Sequence, residues 1–89
     1  MTERELTEHR YAEPRNLAIQ LWENGEPYAM LSCNLEGVTV PADCFIAKEY
    51  SENRGLCDAY LADGTFEDTG ETVSNEFVTC RVLRYIRPF

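Results

Sequence analysis

Hydrophobic and polar positions along the chain fall into a few short runs. The stretch "NLAIQLWENGEPYAMLSCNL" holds two apolar runs about the dipeptide Asn24-Gly25, which favours the type I′ turn of a tight hairpin. A two-residue turn between Glu23 and Glu26 sets Leu21 opposite Tyr28, Ile19 opposite Met30 and Leu17 opposite Ser32, and predicts one apolar side that meets the core. Trp22, Ala18, Leu31 and Cys33 fall on the other side, so the second face is expected to be partly covered as well. Beyond Gly37 and Pro41, "CFIAKEY" reads as a further strand. In "SENRGLCDAYLADG", Ser51 or Asn53 is placed to cap a short helix. Leu56, Tyr60 and Leu61 supply its apolar stripe and Gly64 its stop, with Gly55 a weak point inside it. The run "EFVTCRVLRYI" predicts a last strand with Val78, Cys80 and Val82 on one face.

Hairpin, strand, helix and strand in that order predict an α+β fold. Its sheet is small, antiparallel or mixed, opened by the N-terminal hairpin, and carries one short helix packed on a face. A chain of 89 residues has room for one core, so residues 1–89 are read as a single domain, with 1–15 as a flexible N-terminal segment. Apolar residues at 44% and aromatic residues at 11% are enough to build that core, which excludes a disordered acidic chain. The charged start "MTERELTEHRYAEPR" lacks the apolar run of a signal peptide or membrane span, so a cytoplasmic location is expected. In that compartment Cys33, Cys44, Cys57 and Cys80, each beside apolar neighbours, read as reduced core thiols.

Catalytic templates find little to fit. The only histidine, His9, sits in the polar N-terminal segment, so a Cys-His or Ser-His pair would have to recruit its base from a tail. There is no glycine-rich phosphate loop. No two cysteines have zinc-finger spacing, and the acidic residues around Gly64 and Gly70 do not follow the EF-hand order, although an irregular calcium loop stays open. The expectation is a protein that is not an enzyme and holds no metal or cofactor.

Charge changes the picture more. Sixteen acidic residues against eight Lys and Arg give a net charge of −8, and the segment 36–76, with ten acids against Lys48 and Arg54, carries all of it. Within 58–76 no Lys or Arg accompanies the carboxylates at all. Such a field repels nucleic acid and anionic membranes and speeds encounter with a basic protein groove. The candidate partner-binding residues are therefore Glu49, Glu52, Asp58, Asp63, Glu67, Asp68, Glu71 and Glu76. The plain alternative is that these acids only keep a small domain soluble, for which a net charge of about 2 to 8 in magnitude suffices. Lys48, Tyr50, Ser51, Glu52, Asn53 and Arg54, between strand and helix, read as a capping turn and also as part of the same contact surface.

The strings "GEPYAMLSCNL", "FIAKEYSENRGL", "DTGETV" and "EFVTCRV", spanning 18–83, resemble a family of small uncharacterised bacterial proteins met in phages, plasmids and other mobile elements. That resemblance carries no catalytic residues. It implies, by analogy with anti-CRISPR and antirestriction proteins, an inhibitor of a host defence system. The expected partner is then a basic protein surface on a CRISPR effector or another nucleic-acid-binding protein, with no direct contact to nucleic acid. The alternative is a mobile-element accessory or adaptor protein that binds through a sheet edge or a homodimer interface without mimicking DNA.

Overall fold

The computed structural model describes residues 3–13, 15–50 and 53–86. Along them run β1 (Arg4–Arg10), β2 (Leu17–Glu23), β3 (Glu26–Met30), β4 (Ser32–Cys33), β5 (Cys44–Ala47), α1 (Leu56–Ala62), β6 (Phe66–Ser74) and β7 (Thr79–Tyr85). The α+β class is as expected, with antiparallel pairing throughout. The strands form two sheets rather than one, in the orders β1-β2-β3 and β4-β5-β7-β6. Leu31 joins them: its N–H donates to the Ile19 carbonyl in one sheet, and its carbonyl accepts the Lys48 N–H at the other.

Residues 4–10 of the N-terminal segment form a strand. It is β1, paired with β2 in an unbroken register from Arg4↔Glu23 to Arg10↔Leu17. Leu6 packs on the core, the Trp22 Nε1–H donates to the Thr7 hydroxyl at 2.7 Å, and the Asn24 N–H donates to the Glu3 carbonyl. An edge strand needs no apolar alternation of its own when a buried neighbour supplies the template, which is why the polar run "RELTEHR" gave no signal.

The Asn24-Gly25 turn forms with both residues at positive φ (52° and 81°), as a type I′ turn requires. The expected hairpin register holds only as far as Trp22↔Pro27. A bulge then shifts it, so that Leu21 faces Ala29 and Gln20 faces Met30. The extra residue turns Tyr28 outward, 53% exposed beneath the Arg4 guanidinium, instead of setting it against Leu21.

One core serves both sheets. Leu17, Ile19 and Leu21 of β2 meet Leu31, Phe45, Ala47, Cys57, Phe66 and Leu83, with Tyr60 and Tyr85 packed at the margin. Phe66 stands edge-on to Phe45 with ring centroids 4.9 Å apart, and edge-on to Tyr85 at 5.7 Å. A second, smaller cluster of Leu35, Ile46 and Cys80, flanked by Cys33, Val38, Val40, Val73 and Val78, fills the opposite face of the four-stranded sheet. The buried Asn16 pins the loop that covers it, donating to the Val38 carbonyl at 2.7 Å and accepting the Val40 N–H at 3.0 Å.

The helix is shorter than its sequence pattern suggested. Gly55 does not interrupt it but precedes it as the N-cap residue at φ 85°, with no side-chain cap. Asn53 is buried and spends its amide on the Met30 carbonyl instead of on the helix; Ser51 lies outside the described residues. Gly64, at φ 85°, follows the last turn as expected. Residues 66–74, for which the sequence pattern predicted no element, are the edge strand β6: Phe66 anchors them in the core, and cross-strand pairs with β7 run from Phe66↔Tyr85 to Ser74↔Thr79.

Candidate functional site

Strand alternation decides where the acidic residues go. On β7, Leu83 and Tyr85 point into the main core, and Arg81, two residues back, emerges on the same face at the edge of that core. Three elements bring carboxylates to it. Its guanidinium is bidentate to Glu49, which follows β5, with the Nε–H donating to Oε2 at 2.8 Å and Nη2 donating to Oε1. Nη2 also donates to Asp58 in the first turn of α1 at 3.3 Å, and Nη1 to Asp68 of β6 at 3.4 Å. Three carboxylates around one guanidinium leave two negative charges, and they hold the Arg81 pKa above its ordinary value, chiefly through the Glu49 hydrogen bond.

Arg84 belongs to the other face, with Cys80 and Val82. It donates from Nε to Asp43 at 3.1 Å and from Nη1 to its cross-strand neighbour Glu67 at 2.5 Å. The Asp43 carboxyl is held below the usual range, first by the Cys44 thiol that donates to it at 3.4 Å and further by Arg84. Two carboxylates on one guanidinium leave one negative charge.

The acids of 58–76, unaccompanied in sequence, are therefore partly matched by arginines from the following strand, and they divide between two faces. Glu49, Asp58 and Asp68 gather on Arg81, and Glu67 is carried away to Arg84. Asp63, at the helix C-terminus, accepts the Thr65 N–H at 2.9 Å, a bond that lowers its pKa. Glu71 is exposed in a bulge where Thr69, Gly70 and Glu71 interrupt the register between Asp68↔Leu83 and Thr72↔Arg81. Asp68 accepts the Gly70 N–H there, and the Thr69 hydroxyl donates to the Val82 carbonyl at 2.7 Å. Glu76 is exposed in the β6–β7 turn, which Asn75 holds by accepting the Phe77 and Val78 N–H groups. Glu52 lies outside the described residues.

Arg81, Arg84 and Asp43 are not among the site residues expected from the sequence. The signal was present in "RVLR": two arginines three positions apart on a strand must face opposite ways. Four thiols remain unbridged. Burial pushes Cys57 and Cys33 up to about 12, Cys33 also feeling Cys80, whose sulfur is 3.9 Å away. Thiols so shifted stay protonated and are poor nucleophiles at neutral pH. Among the described residues no three His, Cys, Asp or Glu side chains gather as a metal site would need, and no helix is long and apolar enough to cross a membrane. The surface built by Arg81, α1 and β6 holds carboxylates around a guanidinium and carries a surplus of negative charge. No family model, no curated protein and no solved structure matches the chain.

Proposed function

We propose that the chain is a binding protein that opposes a basic surface on a nucleic-acid-handling protein, with the carboxylates of α1 and β6 as its recognition surface. The observation that carries this reading is the convergence of Glu49, Asp58 and Asp68 from three separate elements on Arg81. A guanidinium at their centre fixes the carboxylates in a negative surplus, so little side-chain entropy is lost when a basic partner arrives. Asp63, Glu71 and Glu76 extend the charge along α1 and β6 without an arginine of their own among the contacts described. Duplex DNA offers about one negative charge per 1.7 Å of axis, and a groove shaped for it is basic. The narrower identification of that partner as a CRISPR effector, and of the chain as its inhibitor, rests on analogy with small acidic proteins of mobile elements.

Capture on immobilised protein tests the reading. Nucleic-acid-binding proteins from a bacterial lysate containing a CRISPR effector are expected to be retained at low salt, released as salt rises, and displaced by duplex DNA. The combined variant Asp58→Asn, Asp63→Asn, Asp68→Asn and Glu71→Gln keeps the Glu49–Arg81 pair and is expected to retain little. Equal retention by the variant, or capture indifferent to both salt and DNA, would refute the proposal.

A further inference from the structure

The four thiols are not placed alike. Cys57 lies in the main core with its sulfur 3.9 Å from the Leu31 carbonyl oxygen, and the Cys44 thiol donates to Asp43. Cys33 and Cys80 instead face each other, sulfur to sulfur at 3.9 Å, on the smaller-cluster face of the four-stranded sheet. Leu35, Ile46, Val73 and Val78 of that cluster give the pair apolar surroundings. Cys80 is buried and Cys33 half-buried, so solvent reaches the pair from the Cys33 side.

A disulfide is not what this arrangement favours. Cys33 pairs with Ile46 of β5, and Ile46 with Val82 of β7, so β5 runs between the strands that carry the two cysteines. Two strand spacings make about 9–10 Å, whereas a disulfide closes a Cα separation of at most about 7 Å. Shortening the sulfur–sulfur distance to the bond length of about 2.05 Å would draw β4 and β7 together across β5. An ion inserted between the sulfurs makes no such demand.

We infer that Cys33 and Cys80 form a two-coordinate site for a soft monovalent cation, Cu(I) being the ion of that class a cell holds. Thiolate sulfur selects such ions, and a filled d shell accepts two ligands in line. Zinc and calcium need four or more ligands, and among the described residues no three candidate ligands gather. Two metal–sulfur bonds of about 2.3 Å span about 4.6 Å in line, so the sulfurs have to part by less than about 1 Å, a side-chain adjustment and not a strand movement. Coordination replaces two S–H bonds by two metal–sulfur bonds. Both protons leave to solvent, the copper stays Cu(I), and the complex carries one negative charge. The groups beside Cys33 suit that charge: burial raises its thiol to about 12 and Cys80 adds to the rise, while the Tyr50 hydroxyl and the Lys48 ammonium oppose it. The inference is independent of the proposed basic partner.

Titration of the reduced full chain with Cu(I) under anaerobic conditions, in competition with a coloured Cu(I) chelator, tests the site. One ion per chain is expected, with an affinity that rises about a hundredfold per pH unit because two thiol protons leave. Cys33→Ser, folded by circular dichroism, is expected to lose the ion to the chelator, and the double variant Cys44→Ala, Cys57→Ala to keep it. A chain that takes no copper from the chelator overturns the inference. So does a Cys33→Ser variant that binds as the unaltered chain does, or an affinity that rises only about tenfold per pH unit, the mark of a single thiolate. Should Cys33→Ser fail to fold, the pH slope of the unaltered chain decides alone.

Discussion

The two faces of the four-stranded sheet are built on the same strands and differ in almost everything else. One face packs Phe45, Phe66 and Leu83 against β2 and the helix, shares the core of the whole molecule, and ends in Arg81 with three carboxylates. The other packs Leu35, Ile46 and Cys80 beneath a loop held by Asn16, and ends in Arg84 with two. Glu67 and Asp68 are neighbours in the chain yet pair with different arginines on opposite faces. Charge density along a sequence is therefore a poor guide to charge density on a surface once the segment is a strand, because every second side chain leaves for the other side.

If the helix-side face holds the fold together, the heaviest loss comes from its aromatic centre. Phe66→Ala is expected to cost about 3–5 kcal/mol in urea unfolding, because it empties the space among Phe45, Tyr60 and Tyr85. A loss below about 1 kcal/mol would mean that the two sheets do not share a core. Arg81→Met comes next. It leaves Glu49, Asp58 and Asp68 facing one another without a cation and should cost about 1–2 kcal/mol, discounted because the arginine side chain is 34% exposed. High salt should recover part of this loss, whereas salt would do nothing for a packing defect. On the opposite face Arg84→Met should cost less than Arg81→Met, as expected of a surface pair with both partners well exposed. Equal costs for the two arginines would erase the distinction between the faces.

The smallest effect is a pH dependence. The Asp43 carboxyl is lowered from its ordinary value of 3.8 by the Cys44 thiol and Arg84. A depressed folded-state value contributes stability that is complete above the ordinary value and is lost as pH falls through the lowered one. Asp43→Asn should therefore flatten the fall in stability below about pH 4 relative to the unaltered chain, while leaving the Arg81 face unchanged. Identical acid profiles for the two proteins would remove Asp43 from the account.

Much of the fold was legible in the chain. The Asn24-Gly25 turn, the apolar "CFIA" of β5, the stop at Gly64 and the alternating run of β7 each carry their own local chemistry, and each formed. β1 was illegible because "RELTEHR" has no pattern until β2 offers it a ladder, and β6 because its acids and Gly70 disguise a strand held by Phe66 and by pairing with β7. The hairpin slip at Tyr28 escaped for a related reason: a bulge is chosen by what packs behind it, not by the turn that precedes it. Of the candidate site, the acids could be enumerated but not arranged.

Composition and spacing alone determined that this chain folds with a mixed α+β pattern, that its middle is strongly acidic, and that its hairpin turns at Asn24. These follow from local backbone preference and from counting charges, neither of which depends on distant neighbours. Only the tertiary structure decided that Arg81 and Arg84 divide the acids between two faces and that β1 takes the end position of the three-stranded sheet. Those outcomes depend on strand register and on which strands lie side by side, and both are set by contacts between residues tens of positions apart.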